Sequence, residues 1–156
     1  MSKFSCGIEK NGSIFKVTIG GIIDEDADFA PHALAAATEV VVECSGVKGI
    51  NSCGIREWIK WISVAAGKKV LYRQCPKVIV DQINMVQGFL PAGGRVESFY
   101  VPYFHEDSGA EKTVLFTLGK EFSSQGEINA PAVKDDAGNE MEMDVIEAKY
   151  FKFLKK

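Results

Sequence analysis

The chain has few of the side chains that hold metals or form disulfide bonds. Among its 156 residues are four cysteines, at positions 6, 44, 53 and 75, and two histidines. No two cysteines form a Cys-x-x-Cys pair, which excludes a conventional zinc knuckle and a thioredoxin-type redox motif. The sequence also has no Walker-type glycine loop, no paired-histidine metal motif and no Gly-x-Ser-x-Gly elbow. We therefore expect neither a cofactor nor an enzymatic activity.

A strong charge and a long apolar run are absent as well. The formal net charge of −3 gives no electrostatic reason to expect a nucleic-acid partner. No apolar run approaches the ~18 residues that a membrane-spanning helix requires. The segment Met1–Gly7 lacks the apolar centre of a secretory signal. With 46% apolar residues the chain suits one packed domain, with or without an appendage. We expect a cytoplasmic protein with no membrane span.

The most informative stretch predicts a strand, a turn and a helix. The apolar run Glu39–Cys44 is typical of a central strand covered on both faces. Turns are predicted at Ser45-Gly46 and at Lys48-Gly49, and a helix opens at Asn51-Ser52. One face of this helix is apolar, with residues at steps of three and four: Ile55, Trp58, Ile59, Ile62, Ala65 and Ala66.

Ser52 lies at the start of the predicted helix, where unpaired N–H groups and the helix dipole stabilise an anion. A phosphate on this serine would therefore carry little local cost. Asn and Ser are also preferred N-cap residues, so capping alone explains Asn51 and Ser52 equally well. The same position would favour a reactive thiol at Cys53. No base is adjacent to Cys53 in the sequence, and we do not expect it to act as a catalytic nucleophile.

The predicted outer face of the helix carries Glu57, Trp61 and Val64, opposite the apolar stripe. An aromatic side chain on a solvent-facing side is typical of a protein–protein interface. Trp61 would alternatively pack beneath the C-terminal segment of the same chain. Both placements fit the sequence.

Two strands precede this stretch. Phe4–Glu9 and Ser13–Ile19 are joined at Lys10-Asn-Gly12, and Asn-Gly between apolar runs is a strong hairpin signal. Gly20-Gly21 predicts a loosened or bulged end of the second strand.

An acidic cluster, Asp24–Asp28, follows these strands. It lacks the remaining positions of an EF-hand loop, so we interpret it as the first turn of a short helix. The Ala-rich segment Pro31–Thr38 predicts a short helix over the sheet edge, with His32 on its surface.

Beyond the central helix, the sequence predicts a strand at Lys69–Arg73, a second helix opened by Pro76, and a strand at Val96–Phe104. The second helix has an apolar face and an opposite polar face that points away from the protein. The apolar face carries Ile79, Ile83 and Val86, and the polar face carries Asp81, Asn84 and Gln87.

Residues 105–156 predict a small β-rich appendage. Lys112–Lys120 is strand-like, Met141–Ile146 alternates, and Ala148–Leu154 is aromatic and amphipathic. His105-x-x-Ser108 and Lys134-x-x-Ala137-Gly138 stand where a zinc ribbon would carry Cys-x-x-Cys. The segment therefore resembles a zinc ribbon without its ligands, since no cysteine follows position 75, and we expect no structural zinc.

Two motifs resemble those of STAS domains, the family of the anti-sigma factor antagonists. Ile50-Asn51-Ser52-Cys53-Gly54-Ile55 is similar to the family's Asp-Ser-Ser-Gly-Leu motif, which lies between a central strand and the following helix. Gly21-Ile22-Ile23-Asp24 is similar to its Gly-x-Leu-Asp segment, which ends the second strand. Asn51 stands in place of the usual Asp, and Cys53 in place of the second Ser.

The resemblance implies an α/β fold, STAS-like, with helices packed on a mixed β-sheet. The order of elements, β-β-α-β-α-β-α-β, agrees with the family across residues 4–104. We expect a STAS-like domain over residues 1–104 and a β-rich C-terminal extension over residues 105–156.

The resemblance also implies a function, because Ser52 matches the serine that a cognate anti-sigma kinase phosphorylates. The unphosphorylated protein would bind an anti-sigma factor or serine kinase, and phosphorylation would release it. The predicted binding residues are Asp24, Asn51, Cys53, Gly54, Glu57 and Trp61. The alternative is a constitutive subunit without a switch, for example of a lipid-transporting ATPase. The exposed edges of such a sheet would also allow a homodimer.

Overall fold

The computed structural model describes residues 3–29, 31 and 33–154. In chain order its elements are β1 (Ser5–Asn11), β2 (Ile14–Ile23), β3 (Glu39–Ile50), α1 (Ser52–Ser63), β4 (Lys69–Arg73), α2 (Lys77–Met85), β5 (Gly94–Val96), β6 (Ser98–His105), β7 (Ala110–Thr117), β8 (Glu142–Met143) and α3 (Glu147–Tyr150). A 3-10 turn, Lys152–Leu154, follows α3.

Strands β1 to β5 form one mixed sheet, in that order. β1 is antiparallel to β2, and each of the following pairs is parallel. Helices α1 and α2 connect parallel neighbours, which a short turn cannot do. The prediction of an α/β fold with helices on a mixed sheet is confirmed, and the STAS-like form of that fold stays a prediction.

Glycines shape both ends of β2. The hairpin loop consists of Gly12 and Ser13, and Gly12 has a φ of +63°, in the left-handed region that favours glycine. At the other end, the pairing of β2 with β3 shifts on both sides of Gly20-Gly21. The predicted hairpin is therefore confirmed. The irregular pairing lies at the predicted glycines, but the extra residue at each shift belongs to β3, so the bulge predicted in the second strand is wrong.

Strand β3 continues to Ile50, so the turns predicted at Ser45-Gly46 and Lys48-Gly49 are wrong. Gly46 pairs with Gly20 of β2, beside the irregular pairing. A Cβ atom on Gly46 would lie only 3.2 Å from the Cα of Gly20. The glycines thus allow a close approach of two strands, and this pairing overrides the local turn propensity.

The connection from β2 to β3 contains no α-helix among its described residues, contrary to both helices predicted there. Asp24–Ala27 is a turn in which the Ala27 N–H donates to the Asp24 carbonyl at 3.0 Å. The Asp26 N–H also donates to Asp24 Oδ1 at 3.0 Å, a local bond that competes with helix formation. Leu34 and Ala37 enter the core from turns. His32 lies outside the described residues.

Strands β7, β6 and β8 form a second, antiparallel sheet. The chain leaves the first sheet after Val96 and enters the second at Ser98, so the single strand predicted over Val96–Phe104 is two strands in two sheets. The boundary predicted after residue 104 falls within β6, and the division into domains stays a prediction. Buried apolar residues from both sheets form one cluster, which includes Val17, Val42, Phe99 and Phe116.

The C-terminal segment closes over the second sheet and α2. Its aromatic rings surround Phe99, with centroid distances of 6.2 Å for Tyr150 and 5.1 Å for Phe153. Asn84 of α2 donates from Nδ2 to the Tyr150 carbonyl at 3.0 Å and accepts the Phe153 N–H at 2.9 Å. The prediction that Asn84 points away from the protein is therefore wrong.

No helix in the described ranges is both long enough and apolar enough to span a membrane.

We expect Asn84→Ala to loosen the segment from Glu147 to Leu154, because the change leaves two backbone groups of this segment without their partner. The free energy of unfolding should fall by about 1–3 kcal/mol. Hydrogen exchange followed by mass spectrometry should show faster exchange in the C-terminal peptide. Gln87→Ala, at an exposed position just after α2, is the matched control. Unchanged exchange in Asn84→Ala would contradict the role assigned to Asn84.

Candidate functional site

Ser52 is the first residue of α1, but it does not cap the helix. The N-cap is Asn51, whose Oδ1 accepts the Gly54 N–H at 2.9 Å. Ser52 is exposed, and within the described part of the chain its hydroxyl has no hydrogen-bond partner. Capping therefore accounts for Asn51, and the interpretation of Ser52 as a cap is wrong.

Asn51 also joins the helix to the end of β2 and the loop after it. Its N–H donates to the Ile23 carbonyl at 3.1 Å, and its Nδ2 donates to Glu25 Oε2 at 3.0 Å. This side-chain bond is the main cause that lowers the pKa of the exposed Glu25 carboxyl. An Asp at position 51 would instead place a second carboxylate beside Glu25. Asn51 thus donates a hydrogen bond to Glu25 where the Asp of the similar motif would repel it.

Gly54 sets the distance between α1 and β2. A Cβ atom at this position would lie 2.0 Å from the Ile23 carbonyl oxygen and 2.6 Å from its carbon. Only glycine fits this approach without movement of the backbone. The contact holds the first turn of α1 against the last residue of β2.

The structure brings five of the predicted site residues together at this junction: Asp24, Asn51, Ser52, Cys53 and Gly54. Asp24 is half-buried and adjacent in sequence to Glu25, which was not among the predicted site residues. The signal for Glu25 was its place in an acidic cluster directly after a strand. Cys53 is half-buried in the same turn of α1.

Trp61 is buried, with 6% of its surface exposed, so its predicted place on the outer face of α1 is wrong. Its ring stacks on Phe29 at 4.7 Å and meets Trp58 edge-on at 5.5 Å. Phe29 belongs to the connection between β2 and β3, so the alternative placement beneath the C-terminal segment is also wrong. A helical wheel of α1 could not predict that Trp61 is buried, because Phe29, which covers it, belongs to a segment without regular structure.

An open apolar groove of about 340 Å³ lies between that connection and α1. Phe29, Leu34, Trp61 and Val64 line it, and Val64 is 50% exposed. Glu57 lies at the same groove and pairs with Lys60 at 3.5 Å, on the exposed surface. Glu57 and Trp61 therefore belong to a surface farther along α1 from Ser52.

The positions that resemble a zinc ribbon form a hydrogen-bonded network. His105 Nδ1 lies 2.8 Å from Ser108 Oγ, and that hydroxyl donates to Asp135 Oδ2 at 3.0 Å. Hydrogen bonds from the backbone and side chain of Asn139 are the main cause that lowers the pKa of Asp135 to about 2. Three polar side chains thus tie the β6–β7 turn to the loop before β8.

No group of three or more His, Cys, Asp or Glu side chains in the described ranges is arranged to hold a metal ion. Two of the thiols are weak nucleophiles because burial raises their pKa. Burial raises the pKa of Cys6 to about 11 and raises that of Cys75 well above its ordinary value. The lack of a metal, a cofactor and an activity stays a prediction.

The bond between Asn51 and Glu25 gives a pH-dependent test. Because the folded-state pKa of Glu25 is lowered, its contribution to stability is present above the unfolded-state pKa and is lost as the pH falls through the folded-state pKa. In Asn51→Ala we expect the pKa of Glu25 to return toward its ordinary value in an NMR titration of the carboxyl carbons. Loss of the cap should also lower the free energy of unfolding by about 1 kcal/mol. Asn129→Ala, at an exposed asparagine, is the control; an unchanged Glu25 titration in Asn51→Ala would refute the assignment.

The contact of Gly54 with Ile23 predicts the sign of a second change. Helix propensity alone would make Gly54→Ala more stable by about 1 kcal/mol. The close approach instead predicts a loss of about 1–3 kcal/mol in urea unfolding, because the new methyl group has no space. Gly7→Ala is the control, since a Cβ at Gly7 meets nothing within 4 Å. A stabilised Gly54→Ala protein would show that α1 and β2 are not in this contact.

Comparison with known proteins finds no match to this chain among protein-family models, curated proteins or solved structures.

Proposed function

We propose that this chain is a non-enzymatic regulatory module that binds a partner protein and is switched by phosphorylation of Ser52, like an anti-sigma factor antagonist. The observation that carries the proposal is the exposed Ser52 hydroxyl at the first position of α1. Since Asn51 supplies the cap, no structural role within the described residues accounts for a serine at this position.

The position suits both the addition and the retention of a phosphate. A kinase could reach the hydroxyl without breaking a hydrogen bond of the fold. The phosphate would then lie at the N-terminus of a helix of 12 residues, where free N–H groups and the dipole favour an anion. The exposed Arg56 lies four residues later on the same helix and could pair with it.

The modification would act mainly on the surface. A phosphate adds a charge of about −1.5 to −2, and it would do so beside the acidic loop that holds Asp24, Glu25 and Asp26. A partner that docks there in the unphosphorylated state would face a large added negative charge afterwards. Phosphorylation would therefore release this partner while the fold is kept.

The groove along α1 offers the rest of a docking surface. It begins at Glu57, about one and a half helical turns after Ser52, and its aromatic walls are of the kind found at interface centres. Glu57 and Lys60 provide charges at its edge. We propose that an anti-sigma factor or serine kinase of complementary shape contacts both Ser52 and this groove.

The proposal is tested by affinity capture from the lysate of the native cell with wild type, Ser52→Ala and Ser52→Asp as baits. We expect wild type and Ser52→Ala to retain a kinase-like or anti-sigma-like protein that Ser52→Asp loses. Ser52→Asp should unfold at the same denaturant concentration as wild type or slightly above it, because an anion in the first turn adds about 0.3–1 kcal/mol. This measurement separates lost binding from lost folding.

Ser124→Ala and Ser124→Asp make the same chemical changes at an exposed serine of another loop, and both should behave as wild type. If all three Ser52 baits retain the same partner, the switch is refuted. The protein would then be a constitutive subunit of a larger complex, for example one with a lipid-transporting ATPase.

A further inference from the structure

Strand β1 is an open edge of the five-stranded sheet. It pairs with β2 over seven residues, from Ser5 to Asn11, without a shift in register. It contains no proline and no bulge, two features that protect edge strands from further pairing. The opposite edge, β5, is only three residues long. Among the edges of this sheet, β1 is therefore the one with the length to add another strand.

The two faces of β1 differ in chemistry. Phe4, Cys6 and Ile8 are half-buried on the face that continues the core, where Cys6 lies opposite Ile19 and Ile8 opposite Val17. Lys3, Ser5, Gly7 and Glu9 are exposed on the other face. Lys3 continues the path of β1, because its carbonyl lies directly beside Gly21 of β2. The edge strand thus has an apolar row on one face. On the other face it has a polar row with opposite charges at its two ends.

We propose that β1 pairs with β1 of a second copy of this chain, antiparallel and with Cys6 on the two-fold axis. Lys3 then lies opposite Glu9 of the second copy, and Phe4 lies opposite Ile8. Each of these pairs occurs twice, as two-fold symmetry requires. Opposite charges and apolar pairs directly across an antiparallel ladder both stabilise it.

The geometry of the ladder selects this register. Alternate residues of a strand direct their backbone N–H and C=O groups to opposite edges. Even-numbered residues of β1 can therefore pair only with even-numbered residues of an identical strand, and odd with odd. A shift that centres the axis on Gly7 places Glu9 opposite Ser5 and Phe4 opposite Lys10. Only the register centred on Cys6 joins Lys3 to Glu9.

The outer strand of the second sheet, β7, does not offer a similar register. Its charged residues are Glu111 and Lys112, which are adjacent and direct their side chains to opposite faces. The alternation rule never brings them opposite each other in a pair of identical antiparallel strands. Charge complementarity therefore favours β1 as the surface between copies.

The proposed pairing runs only from Lys3 to Glu9 of each copy, whereas stable interfaces have about 20–30 residues on each side. The interface is therefore small. We therefore expect a weak dimer whose population rises with protein concentration in sedimentation equilibrium. Lys3→Glu and Glu9→Lys should each raise the dissociation constant at least about tenfold, because each puts like charges opposite each other twice. The double variant Lys3→Glu/Glu9→Lys should restore wild-type association.

Mixing the two single variants gives the sharpest test. A copy with Lys3→Glu and a copy with Glu9→Lys complement each other at both charge pairs. The mixture should therefore form a heterodimer at concentrations at which each variant alone is largely monomeric. This result also shows that both variants are folded, which matters because Glu9 lies opposite Lys16 within its own chain. Lys120→Glu and Glu127→Lys, at exposed positions, make equal charge changes and should leave dimerisation unchanged.

A cross-linking experiment locates the axis. In a Cys53→Ser background, a short bis-maleimide should join two copies through Cys6, because the other thiols, Cys44 and Cys75, are buried. The reaction is run at alkaline pH for a long time, because burial raises the pKa of the Cys6 thiol and lowers its thiolate fraction. A protein that stays monomeric at high concentration overturns the proposal. So does a dimer that resists both charge reversals, or a mixture of the single variants that forms no heterodimer. The proposal does not rest on phosphorylation of Ser52.

Discussion

The close contact between Gly54 and the Ile23 carbonyl is the constraint on which the site depends. The lack of a side chain at Gly54 lets the first turn of α1 lie against the end of β2. From there Asn51 can reach both the Gly54 N–H and Glu25. With these groups satisfied by Asn51, the next residue, Ser52, is left exposed to solvent. A glycine and an asparagine thus create the position that we propose a kinase modifies.

The remainder of α1 is held by buried aromatic rings. Trp58 is fully buried, stacks on Phe89 at 4.7 Å and donates from Nε1 to the Tyr72 hydroxyl at 3.0 Å. Phe29 covers Trp61 from the other side. Such packing leaves the helix little freedom to move. A charge added at Ser52 would therefore change the binding of a partner at the surface directly and would not rearrange the core.

Local signals predicted the parts of the fold that local interactions determine. Asn-Gly gave the hairpin, the apolar run gave β3, and the polar pair Asn51-Ser52 gave the start of α1. The errors concern segments that distant residues decide. β3 extends beyond its predicted turns because Gly46 pairs with Gly20 of β2, and Trp61 is buried because Phe29 covers it. The same reason explains why Glu25 was missed, since its partner Asn51 is 26 residues away.

The polar network in the C-terminal part also could not be predicted from the sequence pattern. The spacing of His105 and Ser108 suggested where a ribbon would bind zinc, but only the fold brings Asp135 to them. The three side chains connect two loops, as a metal ion does in a ribbon. Polar side chains at such positions thus connect two loops by hydrogen bonds, and the spacing of a motif does not by itself specify its chemistry.

The most direct test of the central claim is phosphopeptide mapping of this protein isolated from its native cell in several growth conditions. The account predicts a phosphate on the peptide that contains Ser52, in an amount that changes between conditions. A protein that carries no phosphate at Ser52 in any condition, or that carries it only on other serines, would contradict the account.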